Sequence, residues 1–388
     1  MIKGYIDMLN KSGVIFWPVG TGDSTSIVIQ EGVVLQVDLR DLKMADETGD
    51  DHATLIDALA ANLPKVEGKP YLSAFALTHP DKDHILGFEE LLDRVTIGEI
   101  WFTPRVFIEH DQDLCDDAVA FKNEAERRVQ EMIKSNGDVG AGERVQLIGY
   151  NTLLEMEEFK NFPEDRLTVP GNSITEIDGN NYEGGFNAFI HAPFAEEIVG
   201  DRNDTSMCMQ IVLGNDPSQG GVLLFGDIAY PRIRRIFDAT REAGNEEYLK
   251  WKVFLAPHHC SKSAMYQTED DKEVLKQDML DDLAEFQVEG GVIVASSEKI
   301  PSQNSSGDNP PHAKAKSRYE EVADNGFLCT HEDGGKGAPL VFQAEGGTLT
   351  TSDLAEAAFT GSTSRLATAV DEARGSDSPP SEQVGYGD

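Results

Sequence analysis

Residues 77–84 read Leu77-Thr78-His79-Pro80-Asp81-Lys82-Asp83-His84, which puts four potential metal ligands, His79, Asp81, Asp83 and His84, within six positions. An apolar run over 72–77 precedes them, and Ile85-Leu86-Gly87 follows. A loop at the end of a strand can turn alternate side chains into one cavity, and imidazole with carboxylate suits zinc, manganese or iron. A surface loop or a helix cap is the plain alternative, and the apolar flanks weigh toward metal.

Further ligand types stand at the ends of other apolar runs. Residues 33–37 lead into Asp38, residues 222–225 into Gly226-Asp227, and residues 253–256 into Pro257-His258-His259-Cys260-Ser261-Lys262-Ser263. Taken singly, an Asp after a strand can cap a helix and paired histidines can be satisfied core groups. Four runs that end the same way point to one shared centre. Buried carboxylates are costly without a counter-charge, and a metal ion supplies one.

The elements that must position these groups are short β-branched runs punctuated by Gly, Asp and Asn, read as buried strands: 14–19, 26–30, 33–37, 72–77, 99–102, 145–148, 186–191, 207–213, 222–225, 253–255, 292–295 and 340–342. Helical spacing covers 52–63, 87–92, 116–134, 231–243, 272–287 and 313–323. Hairpins first and helices at intervals afterwards predict an α/β architecture of two sheets with helices outside. Residues 1–345 read as one domain, with a less patterned insertion at about 105–185. Residues 346–388, rich in Gly, Ser, Thr, Ala, Asp and Pro, read as a disordered acidic tail with a short helix at 352–359.

The order of these pieces resembles the metallo-β-lactamase superfamily, and most of all the soluble hydrolase domain of the ComEC family of DNA-uptake proteins. The matching pieces are Val19-Gly20-Thr21-Gly22-Asp23-Ser24 with residues 35–38, the HPDKDH segment, Asn203-Asp204-Thr205-Ser206, Phe225-Gly226-Asp227, PHHCSKS, and Asn309-Pro310-Pro311-His312. The likeness runs from about Phe16 to Phe342 outside 105–185. The membrane-channel parts of ComEC have no counterpart, so DNA uptake itself is not implied.

The resemblance implies an αββα metallo-β-lactamase-like sandwich with two divalent metal ions, zinc or manganese, at the sheet edges. His79 and Asp81 would hold one ion, Asp83, His84 and His258 the other, with Asp227 between them and Asp38 orienting a ligand from behind. Asn203, Ser206, His259, Ser261 and Lys262 would support the site or bind substrate. Asp83, Lys262 and His312 take the catalytic assignments. Lys262 and Ser261 would contact a phosphoryl oxygen, and His312 would stabilise or protonate the leaving oxygen, unless it is simply a loop histidine in a Pro-rich turn.

The chain also departs from that pattern. Asp81 stands where most of the superfamily has His, a variant that resembles the ComEC group. The third-motif His is missing. Asp204 is the expected substitute ligand, with His191 the weaker choice. The added oxygen ligands shift preference toward manganese. Cys260 replaces a usual Gly and is expected to be a buried, inert thiol.

Such a pair of ions would bring bound water near neutral pKa, about 7. Basic residues follow three of the motifs (Lys262; Lys314, Lys316 and Arg318; Arg232, Arg234 and Arg235), which points to a phosphodiester: a phosphodiesterase or nuclease acting on nucleic acid or nucleotides. A lactone, ester or amide hydrolase on the same metals is the first alternative. A non-catalytic metal-binding protein that docks a partner through residues 105–185 or the tail is the second. No P-loop, no GxGxxG and no GxSxG pattern is present, and Gly20-Thr21-Gly22 is too short to count as one.

The 388 residues carry 33 basic and 69 acidic side chains, a formal charge of −36. Only a net −5 of this lies after residue 345, where seven acids face Arg365 and Arg374. An acidic body repels polyanions at long range, so non-specific docking of nucleic acid on a basic face is disfavoured. Four scattered cysteines without a CxxC pair exclude a disulfide scaffold and a zinc ribbon. With no long apolar run and no signal-like start, the expectation is a soluble cytoplasmic protein without membrane contact.

Overall fold

The β-branched runs form two large mixed sheets in the computed structural model, which describes residues 8–47, 50–195, 201–304, 309–334 and 337–351. From edge to edge the first sheet is Thr348–Thr351, Leu340–Glu345, Gly13–Phe16, Thr25–Gln30, Val33–Val37, Lys69–Leu77, Thr96–Phe102, Arg144–Ile148 and Leu167–Thr168. Pairing is antiparallel as far as Val33–Val37 and parallel beyond it. The second sheet is Ser173–Ile174, Asn187–Ala192, Cys208–Val212, Gly221–Leu224, Trp251–Leu255, Gln287–Ala295 and Phe327–Cys329. It too is antiparallel first and parallel from Gly221–Leu224 onward. Parallel neighbours need long crossovers, and helices supply them.

Side-chain alternation sorts the strands into four layers. Val14, Phe16, Leu35 and Val37 of the first sheet meet Met209, Ile211, Val253 and Val294 of the second in one shared core. Ile15, Val34, Phe75 and Leu77 turn the other way, onto helices Leu55–Asn62, Phe88–Arg94 and Asp116–Lys134. On the far side, Leu223, Phe254 and Ile293 pack against helices Tyr230–Glu242, Gln277–Phe286 and Ala313–Val322. The result is the expected αββα sandwich. With both faces of each sheet covered, the strands read as continuous apolar runs rather than alternating ones.

Residues 105–185 are built into this sandwich. Their helix Asp116–Lys134 lies in the outer layer, and Arg144–Ile148 extends the first sheet parallel to Thr96–Phe102. The sheet also continues past Glu345, because Thr348–Thr351 folds back on Leu340–Glu345. The helix expected at 352–359, with the rest of the tail, lies outside the described residues. The helix expected over 272–287 is shorter at its start. Lys272–Leu275 pairs instead with Tyr266–Glu269. Asp270 and Asp271 both take positive φ (48° and 60°) between these strands, the two-residue turn that matches strand twist. Among the described residues no helix is long and apolar enough to cross a membrane.

Candidate metal centre

The strand Val33–Val37 ends in Asp38, which is buried and held at φ 57°. Its carboxylate accepts from the Thr78 backbone N–H at 2.8 Å and from Thr78 Oγ1 at 2.6 Å, just past the end of the neighbouring parallel strand Lys69–Leu77. Asp38 Oδ2 also lies 2.7 Å from His84 Nδ1. With Nδ1 engaged, the opposite nitrogen of His84 faces Asp227 Oδ1 at 3.2 Å.

Asp227 follows Gly221–Leu224 on the facing sheet and is buried. Its Oδ2 lies 3.4 Å from His259 Nε2, 3.6 Å from His258 Nε2 and 3.9 Å from His79 Nε2. Gly226, at φ 55°, allows this approach, since a Cβ there would come within 2.9 Å of Ser206 Cβ. His259 Nε2 is also 3.4 Å from Asp83 Oδ2, and its Nδ1 is 3.2 Å from Asp23 Oδ1. Asp23 arrives through a close backbone contact, its N–H donating to the Asp83 carbonyl at 3.1 Å. A Cβ on Gly22 would sit 2.6 Å from that same oxygen.

His258, His259 and Cys260 take positive φ in succession (49°, 53° and 67°). Left-handed conformations cost a non-glycine residue about 1–3 kcal/mol each, and they persist only where the surroundings enforce them. Here the strained turn aims two successive imidazoles at one carboxylate. Cys260 is fully buried beside them, and burial pushes its thiol pKa far up, so it is the inert thiol expected.

Charge in the cluster is unbalanced. Burial pushes the His79 and His258 imidazoles below their ordinary pKa, which leaves lone pairs free. Burial also works against charge on His84 and His259, yet Asp227 with Asp38, and Asp227 with Asp23, outweigh it and hold both well above. The same contacts hold Asp227 and Asp83 low against the opposing effect of burial. A divalent cation supplies this positive charge directly.

The spacing fits such an ion. Asp227 Oδ1 and the Nε2 atoms of His79, His84 and His259 are closed to solvent and make no hydrogen bond, whereas buried polar atoms are normally paired. Separations of 3.2–3.9 Å between these atoms and the facing carboxylates are long for hydrogen bonds. Ligand atoms each about 2.1 Å from one ion stand roughly 3–3.5 Å apart. Asp23, His84, Asp227 and His259 each offer one donor atom within 4.8 Å of all the others.

The remaining expected residues divide. Asp81 lies at the rim, with Oδ2 3.7 Å from His79 Nε2 and Oδ1 2.9 Å from Arg202. Asp204, on the short turn Asn203–Thr205, faces Arg232 at 3.1 Å. Ser206 Oγ donates to the Asn203 carbonyl at 2.8 Å behind Gly226. His191 is buried away from the cluster, between Thr240 Oγ1 (3.2 Å) and the Tyr248 carbonyl (3.1 Å). Its two ring nitrogens are thus both occupied. His312 Nδ1 accepts from the Lys262 backbone N–H at 3.2 Å, and Ser261 Oγ accepts from Ser263 Oγ at 2.9 Å. Lys262 Nζ and Lys314 Nζ converge on Glu273. Arg234 belongs to a different network, with Asp238 and Asp282.

Asp23 escapes strand-end reasoning, and His259, read from the sequence as support for the site, sits within the cluster itself. It is His259 that stands between Asp83 and Asp227, and Asp23 buttresses it much as Asp38 buttresses His84. The available signal for Asp23 was the Gly-Thr-Gly-Asp-Ser segment after the first strand.

No protein family and no curated protein matches the sequence. Among solved structures, the chain is similar to the metallo-β-lactamase fold protein YhfI from Bacillus subtilis, at 13% identity over 85% of this chain and 100% of that one, with a TM-score of 0.39. It is similar to a diphosphatase of the PhnP family, at 8% identity over 84% and 97%, TM-score 0.35. It is also similar to the archaeal metallo-β-lactamase superfamily protein ST1585 from Sulfolobus tokodaii, at 12% identity over 71% and 96%, TM-score 0.27. Overlap of this size leaves the chemistry to the residues of this chain.

Proposed function

We propose that the protein is a metal-dependent hydrolase of phosphodiesters, using zinc or manganese at the Asp227 cluster. One observation carries the reading: a buried carboxylate, Asp227, is faced by the Nε2 atoms of four histidines at 3.2–3.9 Å. His79, Asp81 and His258 would hold one ion, and Asp83, His84 and His259 the other, with Asp227 shared. Asp204, engaged by Arg232, is left out of this set. Bound there, the metals supply an activated water and neutralise charge on the substrate.

The chain's own groups do the rest. Asp38 and Asp23 fix the rings of His84 and His259, so that the Nε2 atoms stay aimed inward. Arg202 is balanced by Asp81 and Glu109, whereas Lys262 and Lys314 share the one carboxylate of Glu273 and leave a surplus positive charge on the loop that follows His259, in a protein of net charge −36. That favours an anionic ester over a neutral one. His312 accepts at Nδ1, which leaves its Nε2–H as a donor, and we assign it a hydrogen bond that stabilises charge on the leaving oxygen.

The test is hydrolysis by metal-loaded protein of single-stranded DNA, duplex DNA, RNA and cyclic dinucleotides, beside a lactone and a carboxylic ester. Cleavage of a phosphodiester that is lost in Asp227→Asn and His84→Ala is the expected result. Turnover confined to the lactone or the carboxylic ester, or phosphodiester cleavage that survives Asp227→Asn, overturns the proposal.

A further inference from the structure

A second group of metal-ligating side chains stands apart from the Asp227 cluster. His52 precedes the helix Leu55–Asn62, Glu298 follows the strand Gln287–Ala295, and His331 lies in the short helix Thr330–Asp333. These three segments are remote in sequence, yet each offers one donor atom within 4.8 Å of the other two. We propose that His52, Glu298 and His331 form a separate divalent-cation site of the zinc type.

The orientation of His52 comes first. Asp50 Oδ1 accepts from the His52 backbone N–H at 2.8 Å and lies 2.7 Å from His52 Nδ1. This fixes the ring with Nε2 turned to Glu298 Oε1, 2.8 Å away. A carboxylate on the far nitrogen of a histidine is how ligand imidazoles are held and made more basic.

His331 adds an independent observation. Its Nδ1 is closed to solvent, makes no hydrogen bond, and lies 3.4 Å from Glu298 Oε2. The two imidazole rings are 5.6 Å apart with Glu298 reaching both. Two histidines and one carboxylate make a common zinc donor set, leaving a position for water. Glu298 is 45% exposed, which gives an ion and its water a path in. The nearby guanidinium of Arg40 donates to the carbonyls of Val19 and Thr21 and attracts the Glu298 carboxylate only through space.

The site is also a clasp. Glu298 N–H donates to Thr21 Oγ1 and Ser296 Oγ to the Gly22 carbonyl, so the Gly20–Asp23 loop is anchored on this side. The same loop delivers Asp23 to His259. An ion at the second site would therefore brace a loop that reaches the first.

The experiment is zinc bound per chain, by elemental analysis after equilibrium dialysis of the full-length protein against zinc chloride. It compares wild type, His331→Ala and Glu298→Gln, and repeats both substitutions in an Asp227→Asn background, with folding checked by circular dichroism. We expect each substitution to remove about one zinc per chain in both backgrounds. Added zinc should also raise the melting temperature of Asp227→Asn but not that of Asp227→Asn/Glu298→Gln. Equal zinc content with and without Glu298→Gln, a half-exposed position that leaves the core untouched, overturns the proposal. The cluster is then a proton-held ion network only. Because the readout is metal content in the Asp227→Asn background, it stands whether or not the protein hydrolyses phosphodiesters.

Discussion

Asp38 and His84, 46 positions apart, meet at 2.7 Å through Oδ2 and Nδ1, and this contact decides which nitrogen of His84 faces Asp227. Thr78 locks the carboxylate with two further hydrogen bonds, so the pair moves as one unit at the ends of two parallel strands.

Asp38→Asn keeps the shape and removes the charged acceptor. Zinc affinity is expected to fall about 10–100-fold, the usual cost of losing the partner behind a ligand histidine. Calorimetric titration of the metal-free protein reads this directly. Unchanged affinity would mean that His84 does not bind metal through Nε2.

Asp227→Asn tests the centre itself. In a Glu298→Gln background, which removes the second site, each zinc ion at the Asp227 cluster should add about 2.7 kcal/mol of unfolding free energy at a free concentration 100 times its dissociation constant. In that same background Asp227→Asn should gain a small fraction of this, and hydrolytic turnover should drop by about 10²–10³-fold or more. Denaturant melts with zinc and with chelator give the first number. Equal gains in the two proteins would remove Asp227 from the metal ligands.

Part of this site is legible in the sequence because it depends on local pattern. Asp38, His84, Asp227 and the histidine pair each end an apolar run, and parallel strands deliver such ends to one edge of the sandwich. The choice of His259 over His258 beside Asp83 depends on three left-handed residues in a row, none of them glycine, which nothing local announces. Asp204 sits at a plausible distance before Asp227, but the competitor that engages it, Arg232, comes from the outer helix and is invisible until that helix is packed. The same holds for residues 105–185. The 3.6-residue period marks the helix 116–134 correctly, while its place in the outer layer rests on the long-range pairing of Arg144–Ile148 with Thr96–Phe102.

Glu99 is fully buried in the first sheet, where it accepts from the Asp178 backbone N–H at 2.6 Å and from Trp101 Nε1 at 3.2 Å. Burial raises its pKa to about 7 from an ordinary 4.5, so the folded state holds a proton that the unfolded chain releases. Its stabilising effect is complete below pH 4.5 and is lost as pH rises through 7, about 3 kcal/mol in all. Glu99→Gln should flatten that part of the stability–pH curve, as read by urea melts between pH 4.5 and 8. A wild-type curve that does not differ in slope from the variant would show Glu99 ionised throughout.

His191 works in the opposite direction. Burial lowers its pKa to about 4, so it is the unfolded chain that takes up the proton first as pH falls. Stability is fully present above about 6.5 and declines as pH drops toward 4, again by about 3 kcal/mol. His191→Gln should remove this decline while leaving bound zinc unchanged, because both ring nitrogens are spent on Thr240 and Tyr248. Loss of zinc in that variant would return His191 to the ligand set.

The net charge of −36 makes a prediction about rate. An anionic substrate approaches a repulsive body, and only the cations near the cluster, such as Lys262 and Lys314, favour it. Raising ionic strength from about 0.01 to 0.15 M shrinks the Debye length from about 30 to 8 Å, which screens the distant acids more than the cations near the bound substrate. kcat/KM for a small phosphodiester should therefore rise several-fold over this range, while that for any neutral ester stays flat. A fall instead would mean that Lys262 and Lys314 dominate the field at the entrance. Substituting Lys262 with Ala should then make the fall shallower, whereas in a field governed by the acidic body it lowers kcat/KM by a similar factor at every salt concentration.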